Sequence, residues 1–157
     1  MIYSEKRLDI LEEKTGYKFL NRDLLKKALT RFAFGKENNL PDGQNMDSLA
    51  TLGDAVIDLV VIEHLINSGM NEKGKISVTK TNIVNMSILR KLAEELGLKD
   101  FVFWGRGEEI QHVWTSGRVL AECMEAFTGA VYLDGGIESV KEFLENSGLY
   151  NIYSSSQ

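Results

Sequence analysis

The chain has 157 residues, 43% of them apolar, with 18 Lys and Arg against 23 Asp and Glu and a formal charge of −5. That is the size of one ordinary domain, with enough apolar residues to bury a core without disulfides or structural metal. The negative charge excludes a protein that binds nucleic acid by being basic overall, because non-specific affinity comes from neutralised phosphates; any such contact has to be local and metal-assisted.

Cys123 is the lone cysteine, so no internal disulfide is possible, and with Met124 and Ala126 beside it it reads as a small buried hydrophobe in a reducing, cytoplasmic setting. The longest apolar stretch, Val56 to Ile66, is interrupted by Asp58, Glu63 and His64, and Met1-Ile-Tyr-Ser-Glu-Lys opens no apolar run of signal length. Neither secretion nor a membrane partner is expected.

Apolar residues recur at helical spacing almost throughout, which predicts an all-α domain over residues 1–150 followed by a frayed tail over 151–157. Leu8 and Leu11 predict a helix over Ser4 to Lys14, and Asn21 caps a second helix that carries Leu24, Leu25, Ala28 and Leu29 on one face. Gly35 to Asn45 is polar and rich in turn formers, hence an exposed loop. From Met46 to Asn67 the positions Leu49, Leu52, Val56, Leu59, Val60 and Leu65 hold one helical register, making this the first central helix, closed by Ser68-Gly69. Helices over Ile76 to Val84 and Ser87 to Leu96 follow, the second capped by Asn85 and stopped by Gly97. Phe101 to Trp114 reads as a connector with a short helical turn. Val119 to Leu133 is the second central helix, ended by Asp134-Gly135-Gly136, and Ile137 to Asn146 is a last amphipathic helix.

The chemistry-bearing feature is the placement of acids on the two central helices. Asp47, Asp54 and Asp58 fall on one stripe of the first, and Glu122 and Glu125 share a face of the second. Acidic pairs at helical spacing usually mark a solvated face, but Val119 to Leu133 is apolar and rich in small residues and offers scarcely any such face. Ala50, Gly53 and Ala55 on one helix, with Ala121, Ala126, Gly129 and Ala130 on the other, let the backbones approach closely and bring the acids together. Clustered carboxylates either raise their own pKa values or take up a hard cation through their oxygens.

At these residues the sequence resembles the ribonuclease III family. The match runs, in the family's order, from Leu11-Glu-Glu-Lys-Thr-Gly-Tyr-Lys-Phe through Leu29-Thr, Leu52-Gly-Asp-Ala-Val, Ile76-Ser, Leu92-Ala-Glu-Glu-Leu-Gly-Leu, Gly105-Arg-Gly-Glu and Leu120-Ala-Glu-Cys-Met-Glu-Ala to Gly129-Ala-Val-Tyr-Leu-Asp-Gly-Gly. The resemblance implies an all-α endonuclease domain built on two long central helices and acting as a homodimer; many members carry a C-terminal double-stranded-RNA-binding module as well, which this sequence is expected to be without. It implies cleavage of double-stranded RNA, with Mg2+, or Mn2+ as its substitute, activating a water and leaving a 5′-phosphate and a 3′-hydroxyl. By the same carry-over Asp54, Glu122 and Glu125 are metal ligands, Asp54 and Glu125 carry catalysis, and Asp47 contributes less.

The sequence departs from the pattern at the same site. The family's two signature glutamates fall on Asp47 and Ala50, and its Thr-His-Arg-Ser stretch has become Thr30-Arg31-Phe32-Ala33. Asp47 lies about 10 Å along the helix from Asp54, too far for direct compensation but within reach of a water-bridged role. Phosphate contacts are expected from Lys73, Lys75 and Lys80, with Arg106 and Arg118 behind them. His64 and His112 lack zinc-like spacing, and Trp104 and Trp114 suit core or dimer packing better than stacking, since duplex RNA hides its bases. The competing readings are a ribonuclease-III-like dimer that has lost cleavage and serves as an RNA-binding or scaffold module, which Ala50 favours, and an all-helical nucleotide pyrophosphohydrolase, which the ordered motifs disfavour.

Overall fold

The structure, a computed structural model, describes residues 3–155. Among these residues it is all-α, as expected, with no strand beyond an isolated bridge between Thr30 and Phe103. Helices α1 (Glu5–Thr15), α2 (Arg22–Ala28) and α3 (Phe32–Glu37) precede the long α4 (Asp47–Asn67); α5 (Lys73–Ile83), α6 (Met86–Glu95) and the short α7 (Arg106–Ile110) follow, then α8 (Gly117–Asn146) and α9 (Leu149–Ser155). No helix among the described residues is long and apolar enough to cross a membrane.

Local chemistry explains most of the boundaries. The Asn21 side chain accepts from the Asp23 N–H at 3.0 Å to cap α2, and Asn85 accepts from Ile88 N–H at 3.0 Å to cap α6. At the start of α4, Asn45 Oδ1 accepts from the Asp47 N–H at 3.0 Å. Gly16 ends α1 in the left-handed conformation at φ 75°, a backbone state that costs glycine nothing.

Four expectations need correction. The segment 35–45 is not loop throughout, because α3 runs into it as far as Glu37 before Pro41 and Gly43 turn the chain. Helix α5 begins at Lys73, three residues before the apolar signal at Ile76, so its first turn is polar and exposed. Leu59, read as part of the apolar register of α4, is 53% exposed rather than in the core. Residues 151–155, expected to fray, continue helix α9, which Leu149 anchors in the core and which packs on α5, α6 and α8; residues 156 and 157 lie outside the described part. The break at Asp134-Gly135-Gly136 is found as expected: Gly136 takes φ 80° and ψ −176°, outside helical values, so α8 is two helices joined across a kink.

The kink is tied to the front of the chain. Asp134 accepts from Tyr17 Oη at 2.6 Å and from the N–H groups of Leu20 and Asn21 at 2.9 and 2.8 Å. Nearby, Glu12 is buried and accepts from the Phe19 N–H at 2.7 Å and from Arg22 at 2.5 Å, while Arg22 also reaches Glu5 and Asp9. These charge-assisted bonds fix the turn between α1 and α2 where no apolar contact could specify it.

The core is a layer of helices around α4 and α8, whose mutual contact is the most extensive in the molecule, with α2 and α6 against α8 and α5 against α4. Leu49, Ile57 and Val61 of α4 meet Met124, Phe127 and Val131 of α8 in that layer. The arrangement brings the two acid-bearing helices face to face.

Candidate functional site

Helices α4 and α8 touch backbone to backbone. A Cβ on Gly53 would collide with the carbonyl of Glu125, and one on Gly129 with the carbonyl of Leu49, so only glycine fits at either place. Asp54 follows Gly53 directly, and Glu125 belongs to the facing turn. The small residues therefore do what their spacing predicted: with no side chain holding the helices apart, acids beside the crossing come within hydrogen-bonding reach.

Glu125 is 6% exposed and hydrogen-bonds to the Asp54 side chain. Burial, then that hydrogen bond, then the negative charges of Asp54, Glu122 and Asp58 push its carboxyl up to about 8. At neutral pH, without a cation, Glu125 keeps its proton. This is the first of the two outcomes open to clustered carboxylates.

Asp58 lies one turn beyond Asp54 and pairs with Lys80 Nζ at 3.4 Å. Glu122, half-buried, pairs with Arg31 Nη1 at 3.4 Å. Arg31 is itself held firmly: its Nε and Nη2 donate to Glu108 Oε2 at 3.0 and 2.8 Å, and the guanidinium lies 5.7 Å over the Trp104 ring. Burial works against the charge on Arg31, and Glu108 and its acidic surroundings outweigh it, so the group is held above its ordinary pKa. Beneath, burial pushes the Cys123 thiol up to about 12, so it is inert as expected for a core position.

Of the sequence-expected site residues, Asp54, Glu122 and Glu125 come together. Asp47 does not join them: it stands exposed in the first turn of α4 and is not among the groups acting on Glu125. Ala50 is 8% exposed and supplies no oxygen. Lys73 and Lys75 are exposed on α5, as are Arg106 and Arg118 at the starts of α7 and α8, whereas Lys80 is turned to Asp58. Trp104 and Trp114 pack against the core with ring centroids 5.2 Å apart, in line with a packing role. His64 faces Tyr150 and His112 stacks on Trp114, so neither is near the other.

Residue-by-residue reading missed Arg31 and Glu108 as parts of this cluster. Arg31 was visible as a departure in Thr30-Arg31-Phe32-Ala33, and Glu108 as the acid of Gly105-Arg-Gly-Glu, but they are 77 positions apart and no periodicity links them. The donor chemistry around Glu125 is all oxygen and suits a hard divalent ion. Glu125 lies against Asp54 and Glu122 is turned to Arg31; among the described residues no group of three or more His, Cys, Asp and Glu is set to hold a metal.

The profile of the family described as ribonuclease-III-like matches residues 21–152. The chain belongs to the ribonuclease III family. It is 37% identical over 139 residues to a ribonuclease 3 from Fusobacterium nucleatum, covering 88% of this chain and 59% of that protein, and 39% identical over 135 residues to one from Bdellovibrio bacteriovorus, covering 85% and 57%. The chain thus spans less than two thirds of the length of these ribonuclease III relatives. A structure of the nuclease domain of ribonuclease III from Campylobacter jejuni, concerned with flexibility in the region involved in dimer formation, superposes with a TM-score of 0.80 at 31% identity, covering 89% of this chain and 94% of that one. The all-α architecture is that of the ribonuclease III nuclease domain.

Proposed function

We propose that this chain is an endoribonuclease that cleaves double-stranded RNA with the help of Mg2+, or Mn2+ in its place, leaving 5′-phosphate and 3′-hydroxyl ends. The observation that carries the reading is Glu125, a buried carboxyl on an apolar helix, pressed against Asp54 at a crossing only glycines permit. A protonated acid held this way is a poor structural choice on its own, since an apolar side chain would fill the same space without the desolvation cost. Family membership supports the same chemistry. The bound ion would supply Lewis acidity and a water of lowered pKa. Asp54 and Glu125 are the residues that would hold it, Glu125 as the carboxylate. The exposed Lys73, Lys75, Arg106 and Arg118 offer phosphate contacts, and the reading includes a homodimer working in the cytoplasm.

A second reading has its own observation. Ala50 leaves the face of α4 one turn before Asp54 without a carboxylate, and Glu122 is already paired, which favours a dimer that binds RNA without cutting it. The deciding experiment is cleavage of a labelled RNA duplex with Mg2+ and then Mn2+, comparing the parent with Asp54→Asn and Ala50→Glu. Metal-dependent cutting that falls by about a hundredfold or more in Asp54→Asn establishes the nuclease. An inert parent with cutting gained in Ala50→Glu establishes the binding module.

A further inference from the structure

Four carboxylates gather at the crossing, and they are not equivalent. Asp58 pairs with Lys80 and Glu122 with Arg31, each at 3.4 Å, while among the described residues Asp54 and Glu125 have no cation paired to them. We propose that Arg31 and Lys80 are resident counter-cations of this cluster, which keep Glu122 and Asp58 out of metal coordination and leave Asp54 and Glu125 to bind a single divalent ion. The inference rests on the metal-binding reading above and specifies how many ions that site takes.

Arg31 is placed by contacts that do not involve Glu122. Its backbone N–H donates to the Phe103 carbonyl at 3.2 Å, and on either side Phe103 N–H donates to Leu29 O and Met46 N–H to Thr30 O, both at 2.8 Å. Its side chain is 14% exposed, and two of its nitrogens are engaged by Glu108, whose other oxygen accepts from the Gly105 N–H at 3.1 Å. Position 105 in turn takes only glycine, because a Cβ there would strike Ala33. The remaining nitrogen, Nη1, is aimed at Glu122 and at Met46 Sδ, 3.7 Å away. Glu122 therefore meets a charge that the connector has already set in place. A rigid cation placed in advance costs little ordering on pairing, unlike a free surface arginine.

Charge points the same way. With two of the four carboxylates paired to cations, the pair that remains matches one divalent ion. A second ion would have to compete with Arg31 for Glu122 at close range to a guanidinium, and like charges there oppose it. Arg31 is a positioning residue in this account, acting through Glu122.

The test is Mn2+ binding to the full chain without RNA, followed by electron paramagnetic resonance of the free ion, with circular dichroism to confirm folding. The parent is expected to bind a single Mn2+, with affinity that falls about tenfold or more in Asp54→Asn and Glu125→Gln but stays within about threefold in Glu122→Gln. Arg31→Met is expected to add a second Mn2+ through the released Glu122, and Arg31→Lys to restore the single ion. A tenfold loss in Glu122→Gln, or a second ion already present in the parent, overturns the proposal while leaving the metal site standing. A folded Arg31→Met with unchanged stoichiometry also overturns it; if that variant does not fold, Glu122→Gln decides. A parent that binds no Mn2+ overturns the metal-binding reading and this proposal with it.

Discussion

Glu125→Gln separates the protonation of the buried carboxyl from everything else at the crossing. In the folded protein this group is pushed up to about 8 from an ordinary 4.5, while the unfolded chain releases its proton near the ordinary value. Between those two pH values the folded state therefore binds the extra proton, and stability falls as pH rises through the window; below it the group contributes no loss, and above about pH 8 the loss is complete and constant. A tenfold change in proton affinity corresponds to about 1.4 kcal/mol, so the rise from 4.5 to about 8 sets an upper limit of about 5 kcal/mol. Water reaching the exposed Asp54 side of the cluster brings the expected loss to about 2–3 kcal/mol. Glutamine keeps the shape and a hydrogen-bond donor but carries no proton to lose. Urea unfolding in EDTA at pH 4.5, 6, 7 and 9 measures the difference, each stability being extrapolated to water. The variant should gain on the parent steadily from acid to alkaline pH and then level off. Parallel profiles for the two proteins across the window would refute the idea that Glu125 is held neutral by its surroundings.

Two further predictions concern how the site is held. Gly53→Ala drives a Cβ into the Glu125 carbonyl, a backbone atom that cannot rotate away, so it is expected to lower stability by about 3 kcal/mol or more and to abolish Mn2+ binding even where the protein still folds; thermal melts and binding on the same sample check it. Glu12→Ala leaves the Phe19 N–H without its acceptor and Arg22 without its buried partner, so a loss of about 2–4 kcal/mol in chemical unfolding is expected; a loss below about 1 kcal/mol would mean that Arg22 is held equally well by Glu5 and Asp9.

Much of the site was legible in the sequence because its determinants are local. Helical spacing places Glu122 and Glu125 on one face, and their apolar, small-residue surroundings require partners for them; the run of glycines and alanines on both central helices foretells a close crossing. The same logic failed where the signal was not local. Leu59 fits the helical register of α4 yet faces outward, because periodicity gives the apolar stripe of a helix but not how wide a neighbour covers it. The helix over 151–155 carries little apolar signal and is held by packing through Leu149.

What the sequence by itself determined is the two central helices and most of the helices around them, the family, and the pairing of acids on facing helices, since these follow from local patterning. Only the tertiary structure decided which acids have a cation beside them. Arg31 meets Glu122 across 91 positions and Lys80 meets Asp58 across a helix–helix contact, and no spacing rule connects residues brought together by the packing of separate helices and a connector. The protonation of Glu125 belongs to the same level, since a carboxyl's pKa depends on the burial and charge that the folded chain places around it.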